Sequence, residues 1–581
     1  MDPILKRQEK KQGQLKIFML LIIVVLIVWY NIHGLFTKRK APRFHSTTEV
    51  QPPRCYLNGG FYDKPAWIVL NTSSPDDSIY YTLDGSAPKS TSHIYTKPFV
   101  VDNRTDQNNN LSLIPTSPRW KPPLSNVFKA TILRAIAVDN QNNKSKELIR
   151  TFFINNKSSR HYSVPVVSIV INEKDFFGYE RGIYVMGKRY GDKDNYIHKN
   201  ISLELPWWNY PANYLIRGGN SERPAHIEFY EPNGVLGFEA KIGVRINGNA
   251  TRGYAQKSLR ISFKNKYDAG KVRYNLYGDS VLDVHSFLLR NSGNDWDKTM
   301  FRDAFMQKLM KNSDVDIQDS RPSVVFINGE YWGIHHIQQR FDQYYLSAKY
   351  NISADSVTIV EQDKLVCGSD NEIRLFNELI NYIQHHDLSQ IQNYNYVISK
   401  VDLKSLIDFL IANIFFSNGD WPNNNVKCWR YNGYSHCSFS KDGKWRWMLS
   451  DQDWGFGYNA MSSPSFNMLH RASSVGNIGV LFKGLQKNEL FLKTFLDRFQ
   501  YHLDSTFKTS VMLKNIELFK ETFAPEIQEH IERWRAIGSY EKWLENIEIM
   551  KDFARKRPQQ QVEQLNSFFN LKEKERLKLK N

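Results

Sequence analysis

The sequence predicts an α+β chain in which a small β-sandwich precedes a larger two-lobed domain, and three observations lead to this fold class. Short segments of alternating apolar and polar residues, bounded by turn residues, predict mainly strands as far as residue 341. Beyond that point, apolar residues at i, i+4 spacing predict mainly helices. The charge-free residues 17–36 predict, in addition, a membrane-spanning helix near the start.

Composition limits the classes of function. A chain of 581 residues with 41% hydrophobic content is long enough for several domains. Its net charge of +17 would suit nucleic acid, but Lys and Arg are spread along the chain and concentrate mainly at its two tails. No DNA- or RNA-binding module is visible, so we predict no nucleic-acid partner. An acidic nucleotide, acidic substrates or an anionic membrane would account for the same charge.

The N-terminal part divides into a basic tail (1–16), an apolar span (17–36) and a linker (37–51). The span would cross roughly 30 Å of hydrocarbon as a helix. A cleaved signal peptide is the rival interpretation, but it would normally end in small residues, whereas residues 29–33 are bulky and suit a membrane interface. We therefore expect an uncleaved signal anchor and a single-pass membrane protein. Basic residues on both sides of the span define its orientation in the membrane poorly. We favour the orientation in which the large C-terminal part of the chain lies outside the cytoplasm.

Residues 52–157 are predicted to form the β-sandwich. Strands are expected at 67–70, 79–83 and 131–138, with a mobile Asn/Ser-rich loop at 103–126. The phrase YYTLDGSAPKSTSHIYTKPF, followed by TILRAIA, resembles the chitobiase/hexosaminidase C-terminal module. That resemblance implies association with a cell-surface glycan, and the alternative is a spacer that presents the next domain.

The remaining residues, 158–581, would form the two lobes. The first lobe should contain a hairpin over 323–341, turned by Asn328-Gly329, and a helix over 299–311. Lys257 precedes an alternating strand and is our candidate for binding nucleotide phosphates; a solvated edge-strand lysine is the equal alternative. The second lobe should contain an apolar helix over 403–416 and then packing helices at 490–503, 514–523, 527–537 and 540–553.

Two motifs after the 403–416 helix indicate phosphoryl transfer. Asp420 is followed five residues later by Asn425, and Asp451 and Asp453 follow an aromatic strand at 444–449. Phosphoryl transfer requires an aligned acceptor hydroxyl and metal-neutralised phosphates. We predict that Asp420 orients or deprotonates the hydroxyl, and that Asn425, Asp451 and Asp453 bind Mg²⁺, for which oxygen ligands are suited. As i and i+2 neighbours on a strand, the last two would point the same way.

With these residues in view, the chain resembles the CotH family of atypical protein kinases. The resemblance rests on segments in order from about 163 to 570, among them FLLRNSGNDWDKTMFRDAF, FINGEYWGIHHIQQRFDQYYL, FFSNGDWPNNNVKCWRY and WRWMLSDQDWGFG. It implies a two-lobed atypical kinase-like catalytic domain. The implied activity is transfer of the ATP γ-phosphate to Ser or Thr of protein substrates, with Mg²⁺, or Mn²⁺ in its place.

Gln339 marks a departure from the family. In a kinase order the 323–341 hairpin would end against the adenine, and the family often carries Glu where this chain has Gln339. Gln cannot hold a cation as a carboxylate can, so a non-catalytic pseudokinase or surface scaffold remains the alternative. A glycoside hydrolase is disfavoured because no paired carboxylates at barrel-strand ends stand out. Cys428 and Cys437 could bridge in an oxidising compartment.

Overall fold

The computed structural model describes residues 49–156, 162–192, 205–278, 280, 282–433 and 438–579. The predicted membrane helix at 17–36 and Cys437 lie outside these residues, and Cys428 is a free, buried thiol. Within the described ranges, no helix combines the length and apolarity needed to cross a bilayer. Residues 52–581 form one compact unit that mixes strands and helices, which confirms the α+β class.

The N-terminal β module is built around a five-stranded sheet in the order β2-β9-β8-β5-β6, flanked by the small pairs β1-β4 and β3-β7. The predicted strand at 131–138 forms with the same bounds, and its Leu133 packs with Ile68 and Phe152 in the module's core. The strands are β1 (Arg54–Cys55), β2 (Gly60–Tyr62), β3 (Ala66–Ile68), β4 (Leu70–Asn71), β5 (Ser78–Thr82), β6 (His93–Ile94), β7 (Phe99–Val101), β8 (Thr131–Val138) and β9 (Leu148–Ile154).

The first lobe is a closed barrel in the order β10-β11-β12-β13-β16-β18-β17. Its one parallel contact joins β10 to β17, and the Asn328-Gly329 turn joins β17 to β18, as predicted. Both turn residues have positive φ, which Asn and Gly accept most readily. The elements are β10 (Val166–Ile171), α1 (Glu173–Phe176), α2 (Gly187–Gly191), β11 (Arg223–Tyr230), β12 (Leu236–Ile246), β13 (Leu259–Ser262), β14 (Val272–Tyr274), β15 (Leu282–Val284), β16 (Ser286–Arg290), α3 (Arg302–Leu309), β17 (Ser320–Ile327) and β18 (Glu330–Gln339).

The second lobe packs helices around α7 (Leu403–Phe416), which is apolar on nearly all sides and is buried from Ser405 to its end. This helix has the predicted bounds; it begins where Asp402 accepts the Ser405 N–H and ends at Ser417, whose φ is +52°. A four-stranded sheet, β20-β19-β21-β22, covers it. The elements are α4 (Gln343–Tyr350), β19 (Val357–Glu361), β20 (Lys364–Cys367), α5 (Asp370–His385), α6 (Ile391–Lys400), α7 (Leu403–Phe416), β21 (Lys427–Tyr431), β22 (Arg446–Met448), α8 (Met468–Ala472), α9 (Gly476–Leu485), α10 (Glu489–Asp504), α11 (Thr509–Trp534) and α12 (Tyr540–Phe568).

Two of the predicted helix boundaries are wrong. The helices expected at 514–523 and 527–537 are one continuous helix, α11, which contains Pro525, and α12 continues past residue 553 through Pro558. A proline inside a helix removes one hydrogen bond and usually breaks it. Here Phe523 and Ile527, on either side of Pro525, are both buried in the second-lobe core, so tertiary packing outweighs the local penalty.

Acid is expected to destabilise the protein through His530 of α11. The buried ring accepts the Ile334 N–H on Nδ1 at 3.0 Å. Burial, with the charges of His335 and Arg533, lowers the pKa of His530 to about 3. An unfolded histidine has a pKa of about 6.5, so stability is fully present above that pH and is lost as pH falls toward the folded pKa; the loss at pH 5 is about 2 kcal/mol.

His530→Asn keeps an acceptor near the Nδ1 position but cannot be protonated. Urea unfolding at pH 7.5 and pH 5 should show that the wild type loses about 2 kcal/mol more than this variant. His386→Asn, at an exposed position of the second lobe, is the control and should keep the wild-type pH dependence. Equal pH dependence in wild type and His530→Asn would contradict the prediction.

Candidate active site

The loop after α7 places Asp420 beside two asparagine amides. Asp420 accepts hydrogen bonds from Nδ2 of Asn424 at 2.8 Å and from Nδ2 of Asn425 at 3.1 Å. Nδ2 of Asn425 also donates to the Asp451 carbonyl at 3.2 Å, which links this loop to the second motif. Asn425 has a φ of +65°, a conformation that asparagine tolerates better than most residues. The D-x4-N spacing therefore brings both side chains to one place.

Asp451 and Asp453 lie in a turn, so the expectation that they point the same way as i and i+2 neighbours on a strand has the wrong local structure. Strand β22 ends at Met448, and Asp451 has a φ of +55°. The two carboxylates nevertheless converge, because Nη2 of Arg290 donates to Asp451 at 2.5 Å and to Asp453 at 2.8 Å. All four side chains of the predicted catalytic and metal set thus belong to one network of contacts.

Arg290, Gly293, Asn294 and Asp303 complete this network and were missed by the motif analysis. Asp453 accepts the Asn294 N–H at 2.8 Å and Nδ2 of the same residue at 3.3 Å. Asp303 of α3 lies 3.8 Å from Nε of Arg290. Gly293 has a φ of +61°, and a Cβ there would stand 1.9 Å from Oδ2 of Asp453. The backbone must therefore approach this carboxylate closely, and only glycine permits that.

The network contains more negative than positive charge. Asp303, Asp451 and Asp453 surround the single guanidinium of Arg290. Burial, and then the charge of Asp451, raises the pKa of Asp453 well above its usual range. Burial alone would lower the pKa of Arg290, but the surrounding carboxylates raise it. A second cation would relieve this repulsion, and carboxylate and amide oxygens are the ligands that Mg²⁺ prefers, so the residues present fit a magnesium ion.

Asp420 lies at the edge of this charged group. Burial raises the pKa of Asp420, the Asn424 hydrogen bond lowers it, and the charge of Asp451 raises it again, with a net upward shift. A carboxylate whose pKa is raised is a better proton acceptor than an ordinary aspartate. This environment suits a group that receives the proton of an attacking hydroxyl.

Lys257 lies in the interior of the barrel end. Its ammonium donates to the carbonyls of Thr116, Arg252 and Tyr254 at 2.9, 2.8 and 2.6 Å, and burial lowers its pKa well below the usual value. The alternative of a solvated edge-strand lysine is therefore wrong, because the residue is completely buried. Its role in binding nucleotide phosphates stays a prediction that would require the ammonium to leave these carbonyls.

Gln339 ends β18 and lines a pocket of about 370 Å³. Its Oε1 accepts the Asp319 N–H at 3.0 Å, and its own N–H donates to the Asp319 carbonyl at 2.9 Å. We call this the hinge pocket, because it lies at the end of the hairpin that a kinase order would place against the adenine. On another of its walls, His285 stacks on Tyr344 with 4.1 Å between ring centroids. The glutamine side chain thus joins the end of β18 to Asp319, the residue before β17, and its role toward a nucleotide stays a prediction.

A second pocket, of about 340 Å³, adjoins the carboxylates and was not anticipated. We call it the aromatic pocket. Tyr254 stands between Trp207 and Trp296, at 6.0 and 5.6 Å between ring centroids, and donates to Oδ1 of Asn294 at 2.9 Å. Asn294 in turn binds Asp453. The basic residues that line the aromatic pocket are Arg119, Lys121 and Arg535.

The loop at 103–126 of the β module forms one wall of this pocket. The Glu330 carboxylate accepts the N–H groups of Asn110, Leu111 and Ser112 at 2.8, 3.1 and 2.7 Å and so fastens the loop to the barrel. The same loop then supplies Arg119, whose guanidinium lies 4.5 Å from the Trp207 ring. Residues 103–126, expected to be a mobile loop within the β module, are therefore a loop that packs on the barrel and is held there by Glu330.

Comparison with known families finds two matches. The family model described as CotH kinase protein matches residues 244–560, which include Lys257, Asp420 and Asp453. The model described as Fn3 associated matches residues 68–152 of the β module and leaves its resemblance to the chitobiase module untested. No curated protein matches the chain.

Proposed function

The chain belongs to the CotH kinase protein family and is therefore a kinase-like transferase. We propose that it transfers the γ-phosphate of ATP to Ser or Thr hydroxyls of protein substrates. One observation carries this proposal. Residues from two separated motifs belong to one network, in which Arg290 binds Asp451 and Asp453, and Asn425 links Asp420 to the Asp451 carbonyl. Such a network meets the two requirements of phosphoryl transfer: a carboxylate that orients the acceptor hydroxyl of the substrate, and oxygen atoms that bind the metal ion.

Each residue has a role that follows from its surroundings. The two asparagine amides fix the Asp420 carboxylate, which accepts the proton of the substrate hydroxyl. Asn425, Asp451 and Asp453 would hold Mg²⁺, or Mn²⁺, and the ion would supply charge neutralisation for the phosphates. Arg290 keeps the Asp451 and Asp453 carboxylates together and offsets part of their charge.

For the nucleotide base we propose the aromatic pocket rather than the hinge pocket at Gln339. Its rings offer a stacking surface, and Asn294 connects it directly to Asp453. The basic side chains of Arg119, Lys121 and Arg535 give it the charge that phosphates require. The hinge pocket is instead the position that a protein-kinase order would predict.

We further propose that residues 17–36 anchor the chain in a membrane, with residues 52–581 outside the cytoplasm. The β module would then act either as a contact to a cell-surface glycan or as a spacer. Protease protection of sealed membrane vesicles containing the full-length chain distinguishes the two orientations.

The kinase proposal is tested with full-length protein, γ-labelled ATP and Mg²⁺. We expect label on Ser or Thr of an added protein substrate, and roughly a 100-fold lower rate in Asp420→Asn. Because Asp420 acts on the hydroxyl, this variant should keep the stabilisation by Mg·ATP, about 2.7 kcal/mol at 100 times the dissociation constant. Trp207→Ala should raise KM for ATP, and Tyr344→Ala, in the hinge pocket, is its matched control.

Labelling that is unchanged in Asp420→Asn would show that the catalytic assignment is wrong. Absence of both labelling and stabilisation by Mg·ATP would favour the alternative, a pseudokinase or surface scaffold. A rise in KM in Tyr344→Ala, with none in Trp207→Ala, would place the base in the hinge pocket.

A further inference from the structure

Strands β11 and β12 bring a histidine and two glutamates together on the outer face of the barrel. Glu228 stands directly opposite Glu239 in the antiparallel register, and His226 lies two residues before Glu228 on the same face. One imidazole nitrogen and one oxygen from each carboxylate lie within 4.8 Å of one another. Among the described residues, no other three side chains of His, Cys, Asp or Glu lie close enough together to share a metal ion.

Glu228 is a fully buried carboxylate whose partners are hydroxyl and amide groups. It accepts from the hydroxyl of Thr151 on β9, from the Thr151 N–H at 3.4 Å, and from the Tyr230 hydroxyl at 3.1 Å. Thr151 belongs to the β module, so the glutamate lies where the module packs on the barrel. Burying a carboxylate without a positive partner is costly.

His226 supplies a second, independent indication. Its Nε2 is buried and has no hydrogen-bond partner among the described residues, and it lies 3.9 Å from Oε2 of Glu239. Arg150 of β9 donates to that glutamate oxygen at 2.6 Å. An imidazole with an unused buried nitrogen, next to two carboxylates, has the ligand chemistry of a transition-metal site.

We propose that His226, Glu228 and Glu239 bind a zinc ion on the barrel, at the place where the β module packs against it. Zinc accepts one imidazole and two carboxylates at about 2.0–2.2 Å and completes its tetrahedron with water. The two carboxylates supply negative charge for the ion, with Arg150 offsetting part of that of Glu239, and shifts of about 1 Å would bring the ligand atoms to bonding distance. Magnesium suits this set less well because it prefers oxygen ligands alone. This site is separate from the proposed kinase chemistry and does not depend on it.

The site is tested with full-length protein stripped by EDTA and titrated with zinc in a calorimeter. We expect one equivalent to bind tightly and to raise Tm, and at least a 10-fold weaker affinity in both His226→Ala and Glu239→Gln. His386→Ala, which removes an exposed imidazole beside His385, is the control and should bind like wild type. Cobalt(II) in place of zinc should give the visible absorption of a tetrahedral site, and this should disappear in the same two variants.

Glu239→Gln guards against a folding failure of His226→Ala, because the Glu239 side chain is 38% exposed. Zinc that binds both variants as it binds wild type, or no zinc-dependent rise in Tm, would overturn the proposal. Loss of binding in His386→Ala alone would assign the ion to the exposed histidine pair and would overturn it equally.

Discussion

Asp453→Asn is expected to lower the rate of phosphoryl transfer at least roughly 1000-fold while leaving the protein folded. The change removes a buried carboxylate that we assign to magnesium, and the loss of several kcal/mol of charge stabilisation corresponds to that factor. The fold should tolerate it, because asparagine keeps the shape and still accepts the Asn294 N–H. The change also removes a negative charge that repels the neighbouring carboxylates of Asp451 and Asp303. The measurement is kcat/KM with labelled ATP, together with thermal unfolding.

Gly293→Ala tests the same carboxylate without replacing it. The added Cβ would stand 1.9 Å from Oδ2 of Asp453 and 2.6 Å from Nη2 of Arg290, so both groups must move and activity should fall as in Asp453→Asn. Gly476→Ala is the matched control, since its φ of +60° imposes the same backbone strain and no atom lies within 4 Å of its Cβ. Full activity in Gly293→Ala would contradict the assigned geometry.

Arg557→Leu is expected to lower the free energy of unfolding by about 3–5 kcal/mol, the cost of leaving buried polar groups unpaired. Arg557 of α12 donates to the carbonyls of Ile414, Phe415, Pro464 and Phe466. The first two are among the last carbonyls of α7, immediately before the Asp420 loop. Burial lowers the pKa of Arg557 to about 9, which still leaves the guanidinium charged at neutral pH.

Urea unfolding at neutral pH measures this effect, and the rate of phosphoryl transfer by the remaining folded protein measures its consequence for the loop. Arg555→Leu is the matched control, because this side chain on the same helix is 51% exposed and lies 3.8 Å from Glu548. It should change stability by less than about 0.5 kcal/mol. A loss below about 1 kcal/mol in Arg557→Leu would show that α12 does not support the end of α7 in this way.

The parts of the fold that are encoded locally could be predicted. The apolar run of α7 predicted its bounds, and Asn328-Gly329 predicted the hairpin. Closure of the barrel could not be predicted, because it depends on pairing β10 with β17 across more than a hundred residues of chain. The unbroken helix through Pro525 was missed for a related reason, since packing by distant residues decides it.

The candidate site divides in the same way. Asp420 and Asn425 are five residues apart, so spacing alone could relate them. Arg290 lies 163 residues from Asp453, and no periodicity connects the two. The segment RNSGNDW contained a signal, because a glycine between polar residues before a helix often marks a close backbone approach. Lys257 was located correctly before its strand, but burial of its ammonium depends on Thr116 of the β module.

The bonds between Glu330 and the module's loop affect how this protein can be divided for experiment. A fragment starting at residue 158 would lack the peptide that carries Arg119, and one starting at residue 244 would begin inside β12. The first truncation leaves the Trp207 ring without Arg119, the second removes Trp207 itself, and both leave the Glu330 carboxylate without its donors. An inactive fragment of this kind would therefore report on the missing wall rather than on the chemistry of the enzyme.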